Sequence, residues 1–223
     1  MGRNRAPDVS VAPPLTPEQQ LALAFAPAHQ RGAIASLFEL DRTLGEIVRR
    51  EAETGLKQLK LAWWREVLGA NSVPPEAPPV LRRLAEAGYP TATLRDLAEG
   101  WELLLQEQLT AADIRLFAQH RAKGWTWAAG LSGTGEPLAA AAAGTRWALA
   151  DFAIHVSDPR ESQAAIDLLV QQAGSKLPRA LRWMSILEGL TLRRLSAIQG
   201  KAPRLGEALR LTILGQPYRW QEN

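Results

Sequence analysis

From Thr16 onward the chain repeats apolar residues at three- and four-residue steps, a period that leaves little room for anything but packed helices. Leu37, Leu40, Leu44, Ile47 and Val48 form one such run, and Leu56, Leu59, Trp63 and Val67 form another. Further helical patterns are predicted near 92–108, 111–122, 136–157, 160–172, 177–198 and 204–214. Thr16-Pro17-Glu18-Gln19 supplies a start signal, with Thr as N-cap, Pro at the first helical position and Gln three residues after the cap. No alternating run of β-branched residues is long enough for a sheet, and no internal repeat occurs. The prediction is an all-α fold in a single domain of about eight to ten helices. Residues 1–15, Pro-rich and polar, are predicted to be a disordered arm ahead of a helical domain over 16–223.

Short breakers separate the helical runs: NSVPPEAPP at 71–79, GYP at 88–90, SGTGEP at 132–137, SDP at 157–159 and GKAPR at 200–204. Residues 71–79 are the expected flexible connection inside the fold.

Composition narrows the class. Of the 223 residues 46% are hydrophobic, enough for a sizeable core. The 26 basic and 23 acidic residues leave a formal charge of +3, and the arginines are spread along the chain rather than clustered. No nucleic-acid partner is expected on that basis. The absence of cysteine excludes disulfides, thiolate zinc sites and Cys nucleophiles. The N-terminus has no apolar core of a secretory signal, and the run PLAAAAAG falls far short of the ~20 residues a membrane span requires. The expected location is cytoplasmic, with a peripheral contact to the inner face of the membrane.

Two segments carry more information: RGAIASLFELDRTLGEIVRR followed by LKLAWWREVLG, and TRWALADFAIHVSDP. In order and spacing they resemble the squalene/phytoene synthase family, in a divergent short branch, over most of residues 20–190. The resemblance implies a helical fold of the isoprenoid-synthase type around a central apolar cavity. It also implies two acidic helices facing each other across that cavity's mouth. Family members that join two prenyl diphosphates head to head must first ionise an allylic diphosphate. Carboxylates three or four residues apart share one helix face and hold Mg²⁺ against the leaving group.

The first acidic helix departs from that pattern. Asp41 has Leu44 and Gly45 where a second acid would stand, while Glu39 and Glu46 are seven residues apart and share a face at roughly 20° offset. In the second, Asp151, His155 and Asp158 lie at i, i+4 and i+7. They form either a metal-binding set, with imidazole better suited to zinc or iron than to Mg²⁺, or a polar stripe with Asp158 capping the next helix. In LAWWREVL, Trp63 continues an apolar stripe, and Trp64 and Arg65 turn toward other faces. There they line a ligand cavity, or Arg65 pairs structurally with a carboxylate of the 37–50 helix. The cavity candidates are therefore Glu39, Asp41, Arg42, Glu46, Trp64, Arg65, Asp151 and His155, and the metal candidates Asp151, His155 and Asp158. His29 and His120 stand without a second His at ligand spacing. The Gly-rich turn Ser132-Gly133-Thr134-Gly135 lacks the flanking strand and Lys of a phosphate loop.

The reading placed first is a non-catalytic member that binds an isoprenoid or lipid, or assists assembly of a respiratory complex. The resemblance offers a precedent in a complex I assembly factor of this family that lacks complete Asp-rich motifs. The second reading is an active, Mg²⁺-dependent prenyltransferase, and the third a helical protein-interaction module.

Overall fold

A computed structural model describes residues 14–70, 73, 77–89, 91–133 and 136–200. Residues 1–13 of the predicted arm over 1–15, the predicted helix near 204–214 and most of the 71–79 connection lie outside the described residues. Within them the chain forms nine α-helices and no strand: α1 (Pro17–Ala24), α2 (Arg31–Arg49), α3 (Thr54–Leu68), α4 (Pro79–Glu86), α5 (Thr91–Leu103), α6 (Ala111–Leu131), α7 (Pro137–His155), α8 (Pro159–Val170) and α9 (Arg182–Ile198). Short 3₁₀ turns precede α2 and α9. The all-α prediction holds, and it agrees with the isoprenoid-synthase type of fold.

Local chemistry explains where several helices begin. Thr16 and Gln19 form the anticipated capping box on α1: the Gln19 N–H donates to Thr16 Oγ1 (3.2 Å) and the Thr16 N–H donates to Gln19 Oε1 (3.1 Å). Thr110 and Asp113 repeat the device at the start of α6. Asp158 caps α8, accepting from the Arg160 N–H at 2.7 Å. The helix α4 was not anticipated, because its eight residues sit between two Pro-containing breakers and are too short to show a periodic pattern.

The helices α6 and α7 pack along each other, α5 and α8 flank them, and α9 lies against α7 and α1. The helix α2 touches α1, α3, α4, α5 and α6, so its buried face, Ile34, Leu37, Phe38, Leu40, Asp41 and Leu44, is deep in the bundle. Stacked Trp125 and Trp147 (centroids 5.0 Å apart) pack on Trp183, which meets Phe38 edge to face, and all four rings are buried.

On α3 the predicted core face is also corrected. Leu61, Trp64 and Leu68 are buried, whereas Leu56 and Leu59 are exposed and Trp63 is half-buried. Both sets recur at helical spacing, and packing against α5 selects between them. Among the described residues no helix is long and apolar enough to cross a membrane.

Candidate functional site

The helices α2 and α7 do face each other, and between their C-terminal halves lies a cavity of about 310 Å³. Asp41, Arg42, Glu46 and Arg49 enter its wall from α2, Asp151 and His155 from α7, and Arg121 from α6. The N-terminus of α1 and one face of α9 complete it, while Trp101, Trp147, Ile154 and Leu187 supply apolar wall. The result is a mouth of mixed lining, with charges of both signs.

Its floor is an ion cluster. Arg121, 4% exposed, donates from Nε (3.0 Å) and Nη2 (2.6 Å) to the two carboxylate oxygens of Asp41, a bidentate fork. From Nη1 it donates to Asp151 Oδ2 at 2.9 Å. The Trp101 indole N–H donates to Asp41 Oδ1 at 2.9 Å, and the guanidinium lies over the ring of Trp147 with its carbon 4.2 Å from the centroid. On the other side of Asp151, His155 Nδ1 lies 3.2 Å from Oδ1 and 2.8 Å from the Asp151 carbonyl oxygen.

These contacts set the charge states. Burial works against the charge of Arg121, but Asp41 and Asp151 outweigh it and raise its pKa above the ordinary range. Burial likewise works against the Asp151 carboxylate, and Arg121 with His155 overcomes it, holding the carboxyl well below its usual range. The bond to Asp151 raises the pKa of His155. Arg42 is the odd member. Its Nε is buried without a hydrogen-bond partner, and burial followed by the neighbouring Arg49 lowers its pKa. The rim pairs Arg49–Glu46 (3.8 Å) and Arg194–Glu18 (3.9 Å) are long and half-exposed, so they hold these side chains weakly.

The structure sorts the residues singled out from sequence. Asp41, Arg42, Glu46, Asp151 and His155 come together at the mouth. Glu39 does not: it pairs with Arg83 of α4 on the far side of α2, so its shared face with Glu46 carries no joint site. Trp64 is 2% exposed in the core, edge to face with Trp63, and lines no part of this cavity. Arg65 makes a structural pair, though with Glu102 of α5 at 2.7 Å rather than with an acid of α2. Asp158 is the cap of α8, apart from Asp151 and His155, and the three form no metal-ligating group. Arg121, the residue that organises the site, was not singled out. Its signal was a charge inside the apolar stripe Ile114, Phe117, Ala118, Ala122, Trp125.

Mg²⁺, which the resemblance implies, does not fit this donor set. Such an ion needs carboxylate oxygens with free lone pairs. Both Asp41 oxygens are bonded to Arg121, and one accepts from Trp101 as well. At Gly45, where a second acid of the helix would stand, a Cβ would come 2.8 Å from the Trp101 ring. Trp101 thus fills the position of the missing carboxylate and bonds the remaining one.

The family model for squalene/phytoene synthase matches residues 17–122, just under half of the chain. The matched stretch includes Asp41, Trp101 and Arg121, while Asp151 and His155 lie beyond it. No curated protein and no solved structure matches the chain.

Proposed function

We propose that this chain is a non-catalytic member of its family that holds the anionic head group of an isoprenoid or lipid at the mouth, using arginines in place of metal. The observation that carries this reading is the single guanidinium bonded to both Asp41 and Asp151. Ionising an allylic diphosphate requires a clamp for several developing negative charges. Here both acids that would carry such a clamp are already engaged by one fixed guanidinium. What remains for a ligand is Arg42, with its buried unpartnered Nε, beside the loosely paired Arg49 and Arg194. These suit a phosphate-type group. A cavity of about 310 Å³ sits at the lower end of small-molecule sites. In assisting assembly of a respiratory complex, such a protein would use the exposed Leu56 and Leu59 of α3 as a contact surface.

One observation favours the second reading, an active prenyltransferase: acids from two helices do converge on one mouth. That reading requires Arg121 to leave its pocket. Titration with farnesyl phosphate and farnesyl diphosphate, in EDTA and then in Mg²⁺, separates the two. Binding in EDTA, weakened at least about tenfold in an Arg42→Ala, Arg194→Ala double variant, is the expected result. Binding that appears only with Mg²⁺ contradicts the proposal.

A further inference from the structure

A second group of ligating side chains lies outside the mouth, between α5 and α6. One carboxylate oxygen each of Asp96 and Glu99 and a ring nitrogen of His120 lie within 4.8 Å of one another. Asp96 and Glu99 are one turn apart on α5, so both project to the same side, and His120 faces them from α6. We infer that Asp96, Glu99 and His120 form a binding site for a divalent transition-metal ion of the zinc or cobalt type.

Three features of the surroundings support a ligand set rather than a chance grouping. First, His120 Nδ1 is 2.6 Å from the carbonyl oxygen of Asp96. A carbonyl only accepts, so Nδ1 carries the hydrogen and Nε2 keeps the lone pair that a metal takes. This arrangement fixes ring orientation and tautomer as the outer partners of metal-bound histidines do. Second, the imidazole is seated by a close approach of helices. A Cβ on Gly100 would come 2.8 Å from the Cβ of His120, so glycine at that point lets α6 bring the ring down onto α5.

Third, each carboxylate has an outer partner for one oxygen: Lys123 Nζ at 2.5 Å for Asp96 and Arg95 Nε at 2.9 Å for Glu99. Both cations are half-exposed, so these pairs are cheap to rearrange and each acid keeps a second oxygen. Ligand atoms around a tetrahedral zinc ion with bonds near 2.0–2.1 Å lie about 3.3 Å apart. The present spread closes to that distance by rotation of two half-exposed carboxylates, with water completing the coordination. One imidazole with two carboxylates selects zinc or cobalt over Mg²⁺.

None of the three residues lines the mouth, so this site is independent of the proposed head-group binding. The test is titration of the metal-free full chain with Zn²⁺ against a chromophoric chelator, with Co²⁺ as a visible-absorbing substitute. One equivalent is expected to bind, at least about tenfold more weakly in His120→Gln and in Glu99→Gln. Far-UV circular dichroism establishes that both variants are folded; Glu99, being half-exposed, is the safer of the two. His155→Gln is expected to retain full binding, which separates this site from the Asp151–His155 pair. Failure to compete with the chelator, or equal binding by both variants (an adventitious ion only), would overturn the assignment.

Discussion

Arg121 and Asp41, eighty residues apart in sequence, form a buried bidentate pair in which both carboxylate oxygens accept from one guanidinium. The same guanidinium reaches Asp151, so one fixed positive charge joins α2, α6 and α7 at the mouth. Removing it strands two acids. Arg121→Ala is expected to destabilise the fold by about 3–5 kcal/mol, the usual cost of breaking a buried pair from one side. Arg121→Lys should recover only part, since an ammonium cannot make the fork. The double variant Arg121→Met, Asp41→Asn should cost less than the sum of its single changes. Urea denaturation of these variants, of the single changes Arg121→Met and Asp41→Asn, and of the unaltered chain checks all three expectations.

Trp101 and Gly45 make a second, steric statement about the same place. A Cβ at position 45 meets the indole at 2.8 Å, so Gly45→Ala should displace the ring and weaken its bond to Asp41. The expected cost is about 1–3 kcal/mol, typical of overpacking. Tryptophan fluorescence and a urea titration report it. Gly45→Asp, which restores the spacing of a paired-acid helix, should destabilise further and gain no Mg²⁺ affinity.

Much of this architecture was legible in the sequence, and what was missed has physical causes. The capping box at Thr16 and the cap at Asp158 depend on neighbours in sequence, so local chemistry revealed them. The inward face of α3 depends on α5, which no local pattern contains; Leu56-Leu59-Trp63 and Leu61-Trp64-Leu68 are equally periodic. Asp41 shows in the sequence as a cavity candidate, but no local spacing reveals what it bonds. Its true partners, Trp101 and Arg121, are 60 and 80 residues away. The charge at 121 in an apolar stripe was the available clue, since a buried arginine requires buried acids.

The acid limb of the stability profile should carry the signature of Asp151. Its folded pKa is depressed below the ordinary 3.8, so its contribution is present above that value and lost as pH falls below it. His155 acts oppositely. Its raised pKa makes its contribution complete below 6.5 and lost as pH rises through the higher folded value. Asp151→Asn should flatten both slopes in a plot of Tm against pH. Unchanged slopes would show that the Asp151–His155 contact does not persist in solution.

Glu188 should produce a slope of its own. It is buried against Arg146 (2.6 Å), and burial outweighs that partner, pushing its pKa from 4.5 up to about 7. A raised acid pKa means that the folded state holds the proton more tightly. Stability should therefore be greatest below about 4.5 for this group and fall as pH rises toward 7. Glu188→Gln, which can still accept from Arg146, should remove that slope, as thermal melts between pH 4.5 and 8 will show.

The central claim is that a resident guanidinium stands where catalysis would need metal, and diphosphate release tests it most directly. Incubation of the purified chain with farnesyl or geranylgeranyl diphosphate and Mg²⁺ is predicted to release no diphosphate above the protein-free rate, in the presence or absence of a reductant. Mg²⁺-dependent release that is abolished by Asp151→Ala would contradict it.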